Sequence, residues 1–317
     1  MVRLPCTWVE AGLRNNHAQR DLGFKPIQIG SNLVSRSRGP QGLSSPHQGT
    51  NFHPSSLTQL GWRHRALAVV IDTIDFRKSA VLLDVDGTLL DLADTPHSVE
   101  VPQRLKRALK ALDLQSGGAT SFVSGRSMAN LDLLFAPLRL ATVAGHGAEL
   151  RLRAGGLSRR YEATIPTDLR RRLEEFGAMH EGIIVEDKGY SLALHYRLVP
   201  QSGPSVQAAV AAICADYPQY PLDVLAGKFV VEVKPNAFNK GTGIRELMKS
   251  APFRGRQPIF LGDDVTDVAA FAVLPEFDGI GFSVGRELPG VAGFFQTPSD
   301  VRAWLYRVAE TVEVGEP

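Results

Sequence analysis

Between about residue 79 and residue 145 the chain alternates short apolar runs with longer amphipathic ones, and this alternation constrains the fold more than any other feature. The runs are Ala80 to Asp84, Val101 to Leu114, Thr120 to Ser124, Met128 to Leu134 and Ala141 to Gly145. Short strands separated by helices predict right-handed parallel βαβ units, because a parallel connection must cross back over the sheet. The pattern changes from about Ala148 to Pro235. Strands are expected there at Glu149 to Arg153, Arg160 to Ala163, Ile183 to Glu186, Ser191 to Leu198 and Phe229 to Lys234, with helices at Pro166 to His180 and Pro204 to Tyr217. Leu192, Leu194, Tyr196 and Leu198 alternate with Ala193, His195 and Arg197, the mark of a sheet with one covered face and one open to a ligand. From Lys240 the first pattern resumes, with a helix to Ser250, a buried strand at Pro258 to Leu261, and further elements at Asp267 to Val273, Gly279 to Val284 and Val301 to Val308.

The expected fold is therefore α/β: a Rossmann-like doubly wound parallel-sheet core built from residues 76–147 and 236–317, interrupted by an α+β domain over 148–235. Residues 1–75 read as a disordered N-terminal extension. The stretch to residue 70 has eight Lys/Arg against two acids, Glu10 and Asp21, is rich in Ser, Gly, Gln, Asn and Pro, and has no apolar period. It lacks the apolar middle and cleavage site of a secretory signal and the helical stripe of a transit peptide, and a later start of translation, near Ser79, is one explanation for it. A formal charge of +2 is far from the excess with which a domain neutralises nucleic-acid phosphates. No run is long and apolar enough to span a bilayer. Neither nucleic acid nor membrane is expected as a partner. The two cysteines, Cys6 and Cys214, support neither a disulfide framework nor a thiolate metal site, which fits a reducing, cytoplasmic location.

Doubly wound sheets place ligands at the carboxyl ends of their strands, so the residues following each strand carry the functional reading. Asp84, Asp86 and Thr88 follow the first strand, in Asp84-Val85-Asp86-Gly87-Thr88. Ser124-Gly125-Arg126 follows the second, and Gly262-Asp263-Asp264-Val265-Thr266-Asp267 a later one, with Lys240-Gly241 opening a helix between them. Each feature has an ordinary structural reading as well. Asp before Gly is a common turn, Ser124 and the acids at 263–267 suit helix N-termini, and Lys240 suits solvent. Yet three acids within five residues repel one another without a cation, which favours a hard-metal site. Together the groups supply an attacking carboxylate, a hydroxyl donor, a cationic partner and metal-holding acids, the set that in-line phosphoryl transfer needs.

These four ordered signatures, D-V-D-G-T, S-G-R, a lysine, and G-D-D-x-x-D, resemble those of the haloacid-dehalogenase-like phosphatases. The domain inserted between the serine and lysine signatures resembles a type C2 cap. The phrases Gly145 to Glu149, Ser191 to Arg197, Gly227 to Pro235 and Asn239-Lys240-Gly241 are closer still to the trehalose-6-phosphate phosphatase family, over about residues 79 to 312. The resemblance implies Asp84 as nucleophile and Asp86 as general acid and base. It implies Mg²⁺ held by Asp84, the Asp86 backbone carbonyl and Asp263, with Asp264 and Asp267 orienting that shell and Lys240, and Ser124 and Lys240 on phosphoryl oxygens. Arg126, His146, Lys228, Glu232 and Arg197 are the expected substrate-binding residues, with His195 a weaker candidate and Glu149 either supporting them or solvated. Lys228 and Glu232 are expected to face alike on one strand.

The implied reaction is hydrolysis of trehalose 6-phosphate through an aspartyl-phosphate, the last step of trehalose synthesis. Alternatives are another sugar-phosphate phosphatase, acting on sucrose 6-phosphate or a mannosyl-phosphoglycerate, a phosphomutase, or a catalytically silent sugar-phosphate sensor. A monomer working in functional association with a trehalose-phosphate synthase is the implied setting. One departure stands out: the family's last signature ends in glutamate where this chain has Val268, so weaker metal binding and reduced turnover are expected.

Overall fold

The computed structural model describes residues 74–92, 99–227 and 229–313. The expected N-terminal extension falls outside these residues, apart from its last two. Twelve strands are described, in two sheets. The first run forms β1 (Ser79–Leu83), α1 (Gln103–Gln115), β2 (Thr120–Val123), α2 (Met128–Leu134) and β3 (Ala141–Ala144), followed by a 3₁₀ turn at Gly145–Gly147. Two short strands, β4 (Glu149–Arg151) and β5 (Ser158–Arg160), come next. The inserted region continues with α3 (Thr167–Ala178), β6 (Ile184–Asp187), β7 (Leu192–His195), α4 (Gly203–Ala215), β8 (Leu222–Gly227) and β9 (Val230–Pro235). The return comprises α5 (Lys240–Met248), β10 (Gln257–Gly262), a 3₁₀ turn at Val265–Asp267 leading into α6 (Val268–Phe271), β11 (Ile280–Val284), β12 (Gly293–Phe295) and α7 (Pro298–Glu313).

The large sheet has the order β12-β11-β10-β1-β2-β3-β4-β5, parallel from β12 through β3. β1 is central and buried along its whole length, and successive residues point to opposite faces. Val81 and Leu83 join the cluster that includes Leu105, Leu109 and Leu112 of α1 and Trp304 of α7, whereas Ala80 and Leu82 join Ile244 and Leu247 of α5 and Phe271 of α6. One apolar strand thus serves two cores. Helices cover the sheet with narrow apolar stripes: Leu105, Ala108, Leu109 and Leu112 of α1 recur at the i, i+3, i+4, i+7 spacing of a single helical face. The second sheet, β6-β7-β9-β8, is antiparallel, and α3 and α4 cover one of its faces through Leu169, Leu173, Val206, Val210 and the buried Cys214. Among the described residues no helix is long and apolar enough to cross a membrane.

Three expectations are corrected. β4 and β5 pair antiparallel onto β3 and extend the large sheet, so the small sheet begins with β6 rather than at residue 148. The alternation from Leu192 stops early: β7 ends at His195, Tyr196 is buried, and Leu198 lies exposed in the turn that follows. Two strands, β8 and β12, were not foreseen.

Candidate active site

The carboxyl ends of β1, β2, β3 and β10 converge, and the side chains that follow them form one polar cluster. Asp84 follows β1, is buried, and accepts a hydrogen bond from Lys240 Nζ at 2.7 Å. Lys240 Nζ also donates to Asp267 Oδ1 at 2.6 Å, so one ammonium bridges two carboxylates contributed by different segments. Lys240 is 3% exposed, which removes the solvated reading of this lysine. Its backbone is fixed by a capping box in which Asn239 and Thr242 exchange side-chain and backbone hydrogen bonds at the start of α5.

Asp267 turns its other oxygen, Oδ2, toward the β10 loop and accepts from the backbone N–H groups of Asp263 and Asp264, each at 3.0 Å. Asp264 accepts from Val265 N at 2.7 Å and caps the turn. Both readings of the acidic loop therefore hold, since it caps a turn and also brings carboxylates together. Thr88 Oγ1 donates to Asp263 Oδ1 at 3.1 Å. Gly87, at φ +78°, lies so close to Asp263 that a Cβ there would fall 2.0 Å from Oδ2, so only glycine allows the nucleophile loop to approach the acidic loop.

Ser124 is buried behind β2, and its hydroxyl accepts from Arg126 N at 3.2 Å; Ser127, not Ser124, caps α2. Arg126 grips Asp86 in a two-pronged pair, with Nε to Oδ2 and Nη2 to Oδ1 both at 2.6 Å, while its Nη1 donates to Asn130 Oδ1 at 2.7 Å. Arg126, expected on substrate, is in this structure the partner of Asp86.

Oxygens of Asp84, Asp263 and Asp267 lie within 4.8 Å of one another. Burial, with Asp267 and Asp263 as like-charged neighbours, pushes Asp84 well up from the ordinary carboxyl range, and Lys240 opposes the shift. Asp263 is pushed up to about 7, by burial first and then by Asp267. Burial works against the Lys240 ammonium, but Asp267 and Asp84 outweigh it and raise its pKa. Hard oxygen donors crowded in a buried site, carrying more negative charge than one ammonium offsets, suit a small divalent cation such as Mg²⁺. Asp267 has both oxygens committed to Lys240 and to backbone N–H groups, so its part in such a site is to hold its neighbours in place.

A second cluster joins the small sheet to this centre. Glu232, on β9, is buried and accepts from Ser191 Oγ at 2.6 Å and from Lys188 Nζ at 2.9 Å, and His146 Nε2 lies 3.4 Å from its Oε2. Lys188 Nζ reaches the Gly125 carbonyl at 3.3 Å, touching the loop that carries Ser124 and Arg126. Burial opposes ionised Glu232, but Lys188 and His146 hold it well below the ordinary range. Lys188 was not foreseen from sequence; in Asp187-Lys188-Gly189 it reads as an ordinary turn residue. His146 has φ +54°, a left-handed backbone that is costly without a glycine and here aims the ring at Glu232.

Three of the expected residues are not brought into this cluster. Arg197 lies over the Phe229 ring, 5.5 Å from its centroid, and His195 pairs with Glu186 at 2.9 Å. Glu149 is neither solvated nor at the site. It is buried, accepts from Met128 N at 2.7 Å and from Arg160 Nη2 at 2.6 Å, and ties β4 to α2 and β5. Lys228 lies outside the described residues, and β9, which carries Glu232, begins at Val230. Val268 is 50% exposed at the start of α6.

Burial lowers the His146 pKa, with Glu232 opposing. As pH falls through about 6.5, the unfolded chain takes up a proton that folded His146 refuses, so this group's contribution to stability declines from there toward its folded pKa. A ¹⁵N NMR titration is expected to place the His146 midpoint below about 6.5; a midpoint above that value would show that pairing with Glu232 outweighs burial and would overturn this account.

Comparison with known proteins bears on the same residues. A family model described as trehalose-phosphatase matches residues 82–293. The chain is 35% identical over 237 residues to the trehalose-6-phosphate phosphatase of Escherichia coli (strain K12), covering 74% of this chain and 88% of the relative. It is 35% identical over 226 residues to a probable trehalose-phosphate phosphatase of Sinorhizobium fredii (strain NBRC 101917 / NGR234), covering 71% and 84%. The C-terminal domain of the C. albicans trehalose-6-phosphate phosphatase superposes with a TM-score of 0.66 at 21% identity, over 77% of this chain and 96% of that one. A trehalose-6-phosphate phosphatase related protein gives 0.61 at 22% identity, over 74% and 99%.

Proposed function

This chain belongs to the trehalose-phosphatase family, and from that premise we propose that it hydrolyses trehalose 6-phosphate to trehalose and inorganic phosphate as a phosphoric monoester hydrolase. The observation that carries the reading is the Asp84–Lys240–Asp267 bridge at the carboxyl end of the central strand, beside Asp263. Mg²⁺ held by Asp84, Asp263 and the Asp86 backbone carbonyl would neutralise phosphoryl charge and offset the repulsion between substrate and carboxylates.

In the first half-reaction an Asp84 carboxylate oxygen forms a bond to phosphorus while the bond from phosphorus to the sugar oxygen breaks, and Asp86 gives that oxygen its proton. In the second, water attacks the aspartyl-phosphate, Asp86 takes the water's proton, and the Asp84 oxygen leaves with its electron pair. Lys240 and the Ser124 hydroxyl hold phosphoryl oxygens throughout. Because Asp86 here gives both oxygens to Arg126, proton delivery requires its carboxyl to exchange one of those contacts for the sugar oxygen. Glu232, His146 and Lys188 offer acceptors and donors in fixed positions between the two sheets, as recognition of sugar hydroxyls demands.

The test is phosphate release by purified protein from trehalose 6-phosphate, sucrose 6-phosphate and glucose 6-phosphate, with Mg²⁺ and with EDTA. Release from trehalose 6-phosphate at least about tenfold faster than from the others, abolished by EDTA and restored by Mg²⁺, is expected. Equal rates on all three would remove the substrate assignment, and metal-independent release would remove the metal.

A further inference from the structure

Lys234 is a buried cation, at 1% exposure, that takes no part in the reaction described above. It lies two residues beyond Glu232 on β9, so the two side chains share a face of the strand. A lysine ammonium has three donors. Those of Lys234 go to Asp223 Oδ2 at 2.8 Å on the paired strand β8, to the Pro235 carbonyl at 3.1 Å, and to the Phe238 carbonyl. Two of these acceptors belong to the segment by which the chain returns from the small sheet to the large one. The same ammonium lies 4.9 Å from the Phe238 ring centroid, and Asn236 N donates to the Pro221 carbonyl at 3.0 Å.

The return segment is thereby fixed at its small-sheet end, while other residues fix its far end. Phe238 sits with Ala148 and Tyr190 in a small buried cluster, stacking on Tyr161 at 6.2 Å and meeting Tyr190 edge-on at 6.0 Å. Tyr161 belongs to the outgoing crossover, so both connections between the sheets pass through one aromatic contact. The next residue, Asn239, presses its carbonyl against Gly147, where a Cβ would lie 2.3 Å from it, and opens the capping box that holds Lys240. Lys240 is thus secured by the large-sheet side alone.

We infer that Lys234 is a positioning residue: it locks the return crossover into one path, sets the angle of the small sheet over the large one, and so fixes how far Glu232 reaches into the site. The substrate consequence rests on the phosphatase reading; the clamp itself does not. Lys234→Met keeps the length and apolar stem but leaves Asp223 and two buried carbonyls without a donor. It is expected to lower kcat/KM for trehalose 6-phosphate about tenfold or more, since small displacements of binding groups are costly to rate, while p-nitrophenyl phosphate hydrolysis stays within about twofold. Lys234→Arg, which keeps the charge and donors, is expected to recover most of the loss.

A readout independent of turnover is amide hydrogen exchange. The Asn236 amide should exchange faster in Lys234→Met while the β8–β9 ladder keeps its protection. Parallel loss on both substrates, or unchanged exchange at Asn236, overturns the inference. If the wild type proves inactive on trehalose 6-phosphate, the function reading fails and the exchange experiment still decides the clamp. Should Lys234→Met not fold, Asp223→Asn takes its place, with the same directions expected at smaller amplitude and the same overturning results.

Discussion

Asp84→Asn is expected to abolish phosphate release, by about 10⁴-fold or more, and to leave the protein folded and at least as stable as before. An amide of the same shape fills the same space but cannot form the phospho-enzyme, so turnover goes with the nucleophile. The stability argument runs opposite to intuition about lost ion pairs. Burial and the neighbouring acids hold the Asp84 pKa above its unfolded value. As pH rises through that unfolded value the unfolded chain gives up its proton before the native state does, so ionising this group works against the fold. Removing its charge takes away that penalty and leaves Lys240 paired with Asp267 at 2.6 Å. Thermal melting without metal at neutral pH should therefore show an unchanged or raised midpoint. A folded Asp84→Asn protein with wild-type turnover would remove Asp84 from the mechanism, and a midpoint several degrees lower would remove the account of its electrostatics.

Lys240→Met is expected to be the opposite case, losing both activity and stability. The ammonium is 3% exposed and is the cation that Asp84 and Asp267 share. Deleting it leaves two buried carboxylates facing each other with Asp263 beside them. Breaking a buried ionic pair from one side costs about 3–5 kcal/mol, since the remaining charge is neither solvated nor compensated. Urea denaturation at neutral pH should read a loss of that order. The raised Lys240 pKa means that its stabilising contribution is fully present below about pH 10.5 and fades only above it. The double variant Asp84→Asn/Lys240→Met is the informative control, because removing one orphaned carboxylate should return part of the lost stability and none of the activity. A double variant no more stable than Lys240→Met alone would show that the bridge does not set the cost.

How much of this was legible in the sequence depended on how local each determinant is. Asp84, Ser124 and Asp263 could be read because each follows an apolar run whose burial is evident from composition, and the carboxyl ends of such runs converge, while Lys240 could be read as the opening of a helix between those runs. The pairing of Arg126 with Asp86 could not, because 40 residues separate them and either alone is an ordinary polar loop residue. Lys188 was hidden for the same reason: its partner Glu232 is 44 residues away, and nothing in a turn lysine announces it. β4 was recognised as extended, whereas β5 was expected two residues late, at Arg160 to Ala163; three-residue strands carry no signal for which sheet they join, and both joined the large one. β12 is only Gly-Phe-Phe. β8 alternates buried Leu222 and Val224 with more exposed neighbours, a pattern too brief to stand out between Pro221 and the glycine that ends it.

The order of strands also dictates the order in which the protein can be made. β1, which leads into Asp84, pairs on one side with β2 a few dozen residues later, but on the other with β10, in a register that sets Ser79 opposite Gln257. Lys240 and Asp84 are 156 residues apart. A chain emerging from the ribosome can assemble β1 to β5 and then the whole inserted sheet before the segment that completes the phosphoryl site exists. Folding of the insert draws its two ends together, which shortens the effective loop that β10 must close and lowers the entropic cost of closing it. The inserted sheet thus shortens the loop that the large sheet has to close, and the nascent chain passes much of its synthesis with Asp84 in place but without the Lys240 and Asp267 that complete its surroundings.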